Sequence, residues 1–246
     1  MFGLLGRKKS KLKKLGSRNI YGENNLIINH DADLSRVEFN IQGHHNVIII
    51  HQGVKFAPLS FNLYGDHHKI VIGEGCQFNG PSAIWAEDQS CFISIGAAST
   101  FEGVHFSATE PGSKLLIGND CMFSYDIDIR TGDSHSLVSA ETGLRYNYAK
   151  DIQIGDHVWI ASHCILTKGV QIPSNCVVAT GSMVNRAFSE ENTVIAGRPA
   201  QVVRRKINWL RERIYQTANV ERPNDFKRLN ESQKTVSLSE RIKKIG

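Results

Sequence analysis

From Ile154 to Val184 an aliphatic residue returns at every sixth position: Ile154, Ile160, Leu166, Ile172, Val178 and Val184. The opening Ile154-Gly155-Asp156-His157-Val158 recurs 18 residues later as Ile172-Pro173-Ser174-Asn175-Cys176. Six is neither the helical period nor plain alternation, although runs such as Cys176-Val177-Val178 read as strand. A six-residue repeat marks a parallel β-helix, in which three short strands and three turns make one coil. The same opening stands upstream at Ile72, Ile95 and Ile117, with 23, 22 and 37 residues between successive starts up to Ile154. Those intervals are one or two coils of 18 plus short extra loops.

Repeats over 246 residues predict one elongated body rather than two compact domains. Five cysteines, an odd number, argue against a disulfide framework and for a reducing, cytoplasmic setting. Cys76, Cys121 and Cys176 each follow a coil-opening isoleucine by four residues, which predicts small core-facing side chains stacked in register. From Ile20 to Leu63 the aliphatics return less regularly, as in the atypical opening coils of solenoids, and Val47–Ile50 reads as a buried strand. His44, His45, His51, His67 and His68 lie in these coils without HxH or HExxH spacing and read as exposed turn residues. Gly73, Gly75, Gly80, Gly96, Gly103 and Gly118 occupy turns, where a left-handed backbone or a close approach suits glycine.

The +5 net charge collects at the ends of the chain. Residues 1–18 hold seven Lys or Arg and no acid, either a solvated terminus or a contact to an anionic surface such as a membrane leaflet. Nucleic acid is not expected, because no aromatic residues interleave with these charges. Met1 to Leu5 is too short for a signal-peptide core, and no stretch reaches transmembrane length. GxGxxG, GxxxxGK and GxSxG patterns are missing, so dinucleotide, phosphate-loop and serine-hydrolase chemistry are not expected.

Between Ile129 and Ile154 a polar insertion interrupts the repeat, and insertions in rigid solenoids concentrate function. It contains Asp133-Ser134-His135. A carboxylate that orients a histidine makes a general base, while the same pair also suits an ordinary turn; the residues alone leave both open. After Arg205 the spacing of Ile207, Leu210 and Ile214, with Trp209 beside them, predicts a short helix that folds back on or caps the solenoid. The chain beyond Pro223 is polar, with a last helix predicted from Leu238.

From about Ile117 to Arg204 the chain resembles the hexapeptide-repeat acyltransferases, in the branch of galactoside, maltose, xenobiotic and bacterial polysaccharide O-acetyltransferases. The ordered motifs are TGDSH, the IGDHVWI coil, TKGV, GSMV and IAGRPAQVVRR, with 24 residues from His135 to Trp159. The resemblance implies an all-β fold, a left-handed parallel β-helix of hexapeptide repeats, here with a short C-terminal helical extension. It implies a homotrimer with acetyl-CoA between adjacent helices, a saccharide acceptor and no metal. By the same resemblance His135 is the base and Asp133 its orienting partner. Trp159 lines the pocket against donor and acceptor, and the Ser162 amide meets the thioester oxygen. Thr180, Asn185, Arg186 and Arg204 contact CoA, and His105 lies where the acceptor is held. Ala161 for glycine, Pro173 for a second turn glycine and Asn185-Arg186 for Thr-Lys depart from the family pattern.

The expected organisation is a basic segment 1–18, a solenoid 19–204 with an active-site loop at about 130–151, and a C-terminal part 205–246. The leading expectation is a saccharide O-acetyltransferase of surface-polysaccharide assembly. Two alternatives remain. One is an amino-sugar or nucleotide-sugar N-acetyltransferase, separated by testing amine against hydroxyl acceptors. The other is a non-acetylating scaffold or a zinc protein like the γ-type carbonic anhydrases, which needs three converging histidines. Only His157 and His163, six residues apart, stand out for that role.

Overall fold

Alternation inside each short strand buries one side chain and exposes the next, so a coil of three strands closes around an apolar centre. The structure, a computed structural model, describes residues 18–214. Those residues contain no helix, and their strands form three sheets of eight, seven and eight strands. The first face runs from Arg18–Tyr21 through Ser82–Gln89, Val104–Ala108 and Ile127–Arg130 to Met183–Val184. The second runs from Leu26–Asn29 to Gln171–Ile172, and the third from Lys55–Phe56 through Trp159–Ile160 to Val194–Gly197. The chain visits first, second and third face in turn and pairs each strand in parallel with its counterpart one coil on. This is the expected all-β, left-handed parallel β-helix. Its last strand, Ala200–Arg204, turns back antiparallel on Val194–Gly197.

Register measures each coil. Leu59 pairs with Val37 and Ser82, steps of 22 and 23 residues. Leu166 pairs with Ile129 across 37 residues and with Val184 across 18. The bare 18-residue coil therefore appears only after the long insertion; earlier coils carry extra residues at their edges.

The core is a set of ladders along the axis. Phe101 stacks between Phe78 and Phe123 at ring separations of 4.7 and 5.0 Å, and Phe39 stacks on Phe61 at 5.2 Å. All five cysteines are free and buried, as the register of Cys76, Cys121 and Cys176 predicts. Burial pushes the Cys76 thiol up to about 11 and the Cys121 thiol up to about 12. The strand expected at Val47–Ile50 forms, but only Ile48 and Ile50 are buried, while Val47 and Ile49 are half-buried on its outer side.

The edges need backbone that turns sharply in little space. At the edge from second to third face Ala98, Asp120, His157, Asn175 and Asn192 all have φ between 51° and 60°. Asn and Asp tolerate that left-handed region better than other residues with side chains. Of the turn glycines, Gly75 takes a positive φ of 68°, whereas Gly96 serves close approach: a Cβ there would lie 2.4 Å from the Gly118 carbonyl carbon.

Two expectations need correction. His44, His45, His51 and His67 are exposed, but His68 is fully buried. Its Nδ1 accepts the Cys91 N–H at 3.2 Å and its Nε2 lies 3.3 Å from the Tyr64 carbonyl, a pair of bonds that selects the neutral ring. Desolvation holds the His68 pKa below its ordinary 6.5, against smaller raising effects of the Tyr64 carbonyl and nearby aspartates. A lowered native pKa means that the unfolded chain binds the proton more readily. The His68 contribution to stability is therefore complete above 6.5 and declines as pH falls from there toward the native value. Thermal midpoints of wild type should fall between neutral pH and about pH 5 more steeply than those of His68→Gln; equal slopes would remove His68 as the cause.

The second correction concerns the helix expected over Ile207, Leu210 and Ile214. Among the described residues, 205–214 form no helix. The Ile207 N–H and carbonyl both bond to Asn192, and the Trp209 indole stacks on His157 at 4.0 Å while its N–H donates to the His157 carbonyl at 2.8 Å. Those contacts take backbone groups that a helix would pair internally, so tertiary packing overrides the local pattern. The solenoid unit ends at Trp209 and a second unit begins at Leu210. The basic run 1–17 and the helix expected from Leu238 lie outside the described residues.

Candidate active site

The strand Ile127–Arg130 ends on the first face and the chain returns on the second at Ile152–Ile154. Between them the insertion is tied at its base. Buried Thr131 accepts the Thr109 N–H at 2.9 Å through its hydroxyl, and its carbonyl accepts the Lys150 N–H at 2.9 Å. Val138 bridges Arg145, and the Ser139 carbonyl accepts the Gly143 N–H, so the middle of the insertion is a small hairpin.

Asn147 holds the Asp133-Ser134-His135 motif in place. It is almost wholly buried; its Nδ2 donates to Asp133 Oδ2 and to the His135 carbonyl, both at 2.8 Å. Its Oδ1 accepts the Leu137 N–H at 2.7 Å and the Arg145 Nε–H at 3.2 Å. The structure therefore brings Asp133 to His135 through backbone; the carboxylate does not bond the imidazole. Asp133 instead pairs with Lys168, and that bond, against modest desolvation, holds its carboxyl below the ordinary range. His135 itself is exposed, following Ser134 at φ 62°. Nothing in the sequence distinguishes Asn147 from its polar neighbours, so only the fold identifies it.

Trp159 stands half-buried on the outside of the third face, paired with Met122 and Val177. Its ring lies 6.1 Å from that of Trp209, tilted by 51°. Ser162 follows at the edge between third and first faces. Its carbonyl accepts the Gly181 N–H at 2.9 Å, and its own N–H has no partner among the described residues. That unpaired amide is a donor of the kind that stabilises an oxyanion. Within one chain, however, His135 sits at the edge between first and second faces and Ser162 at another edge. A single chain does not bring the two together.

Thr180, Asn185, Arg186 and Arg204 are all exposed in the last coils. The Arg186 guanidinium lies 5.1 Å from the centre of the Phe188 ring, and Arg204 closes the final antiparallel strand opposite Val194. Of the other arginines there, Arg205 pairs with Glu190, and Arg198 donates to the Gly181 carbonyl at 2.6 Å. His105 lies on the first face and binds Asp128 at 2.9 Å; the other Asp128 oxygen binds Arg130 at 2.6 Å. Burial alone would raise the Asp128 carboxyl, but His105 and Arg130 together bring it below its ordinary value.

His157 and His163 lie at two different edges, and each binds a carboxylate, Asp120 at 2.7 Å and Asp126 at 2.6 Å. Among the described residues no group of three His, Cys, Asp or Glu is placed to hold a metal. These pairings span 37 residues, across the insertion, and are invisible to local spacing.

No family model matches the chain. It is 32% identical over 127 residues to the polysialic acid O-acetyltransferase of Neisseria meningitidis, covering 52% of this chain and 59% of the relative. It is 42% identical over 133 residues to the galactoside O-acetyltransferase of Escherichia coli K12, covering 46% and 64%. The crystal structure of the polysialic acid O-acetyltransferase OatWY superposes with a TM-score of 0.75 at 29% identity, covering 82% of this chain and 95% of that one. The chain thus spans little more than half the length of these curated relatives.

Proposed function

We propose that this chain, a hexapeptide-repeat acyltransferase in sequence and fold, transfers an acetyl group from acetyl-CoA to a hydroxyl of a saccharide. The observation that carries the reading is the Asn147-braced His135 segment, set in a solenoid whose relatives are O-acetyltransferases of saccharides. A sugar hydroxyl near neutral pH is a poor nucleophile. His135 takes its proton as the oxygen attacks the thioester carbonyl; the C–S bond then breaks and the imidazolium returns the proton to the departing thiolate. The free Ser162 N–H holds the negative oxygen of the tetrahedral intermediate. Asp133, pulled toward Lys168 and Asn147, sets the backbone course at His135.

Because His135 and Ser162 occupy different edges, the reaction needs a second chain beside the first. The second face supplies a surface for one. Ile28, Ile49, Val71 and Leu116 form an outward apolar column in successive coils, interrupted by Ser94. Side-by-side packing of three chains would cover it and close the symmetry. A cytoplasmic setting accords with the free cysteines.

The donor belongs to the last coils. Changing Arg186 and Arg204 together to Ala should weaken acetyl-CoA about tenfold, roughly 1.4 kcal/mol. Deleting residues 1–18 should leave it within about twofold, since Arg18, where that segment joins the solenoid, stands in the opening coil at the opposite end of the stack from the coils that hold Arg186 and Arg204. Calorimetric titration measures both; weakening by the deletion alone would put the donor at the wrong end. Release of CoA thiol with hydroxyl acceptors, and none with amines, tests the O-acetyl reading against the N-acetyl alternative.

A further inference from the structure

The outside of the first face carries a strip that acyl transfer does not use. Alternation turns Asn40, Asn62 and Trp85 outward, and strand register aligns them in one row. The row continues through Ser107 to Arg130. Asn19 donates to Asn40 at 2.9 Å, Asn40 to Asn62 at 3.0 Å, and Asn62 to the Ser60 hydroxyl at 3.0 Å. Asn40 and Asn62 each commit one N–H and one lone pair to neighbours and keep another of each for a ligand. The Trp85 indole N–H donates to Glu87 at 3.2 Å, and the Tyr64 ring packs against it at 4.8 Å. An indole held this firmly, and still half-exposed on a flat sheet, presents a rigid aromatic platform.

Fixed amides beside an aromatic plate are the chemistry that grips a sugar ring: hydroxyls pair with amides, and the ring's C–H face lies on the indole. Neighbouring rungs are about 4.8 Å apart, comparable to one pyranose unit along a glycan. Charge decides the kind of glycan. The outward positions of Val37–Gln42, Leu59–Asp66 and Ser82–Gln89 hold Glu38, Asp66 and Glu87 and no Lys or Arg. That pattern repels a polyanion and accepts an uncharged chain.

We infer that this strip is a docking track for an uncharged stretch of glycan, which positions a polymeric acceptor along the solenoid. Arg130 stands two rungs, about 10 Å, beyond Trp85, on the strand that leads into the His135 segment. The direction of travel toward that segment rests on the acetyl-transfer reading; binding on the strip does not.

Native electrophoresis of the full chain through gels containing dextran, galactan, β-glucan or polysialic acid tests the track. At least one neutral glycan should retard wild type. Trp85→Ala should weaken that retardation roughly tenfold, Trp85→Phe should restore most of it, and polysialic acid should not distinguish the three proteins. No retardation by any neutral glycan, or equal retardation of Trp85→Ala, overturns the inference. So does a fall in oligomer mass on Trp85→Ala, which would make the strip an interface between copies. CoA release with a monosaccharide acceptor is measured in parallel and should be unaffected by Trp85→Ala. Its absence in wild type would refute acetyl transfer without touching the binding result.

Discussion

His135→Ala lowers turnover at least about a hundredfold, within the 10²–10⁴ range of a lost general base, while acetyl-CoA affinity and thermal midpoint stay close to wild type. The expectation follows from where the residue sits. The His135 ring is exposed and supports no core contact, so truncation removes chemistry and leaves the fold. Its backbone carbonyl, which Asn147 holds, survives the substitution. Turnover and turnover over KM should therefore fall together, as when an interaction made only in the transition state is lost. Asp133→Asn should cost less, because the Asn147 bond to the His135 carbonyl remains. An alanine variant with wild-type turnover would end the assignment.

Phe101→Ala has the largest expected effect on stability. Its ring is fully buried, stacked between Phe78 and Phe123 and set edge-on to Phe106 at 5.4 Å. Truncation leaves a cavity in the middle of a ladder whose neighbours are held by their own strands and cannot collapse into it. A loss of about 3–5 kcal/mol is expected, some of it from the aromatic pairs beyond plain burial. Urea denaturation should show a lower midpoint with an unchanged slope. A loss below about 1 kcal/mol would mean that the coils relax around the gap, contrary to close packing.

The repeat was legible because a coil is a local object. Six-residue spacing sets which side chains turn inward, whatever lies one coil away, so Cys76, Cys121, Cys176 and Val47–Ile50 fall where local pattern places them. The motif Asp133-Ser134-His135 was legible for a similar reason: it interrupts a regular pattern. The link between its members was not. Asn147 is twelve residues from His135 and takes its place only when the hairpin folds back on itself.

Three further features belonged to tertiary structure alone. His68 looks like its exposed neighbours His67 and His45, yet in the fold its ring is buried and its Nδ1 accepts the Cys91 N–H. Ile207, Leu210 and Ile214 carry a helical period, yet Trp209 stacks on His157 and Ile207 bonds to Asn192 in a segment without helix. The separation of His135 from Ser162 onto different edges depends on how many residues each coil holds. Sequence alone determined the alternation, the coil and the chemistry of its insertion, because those depend on residues a few positions apart. Register between coils was decided in three dimensions, since coil length varies from 17 to 37 residues and only stacking reveals which side chains meet.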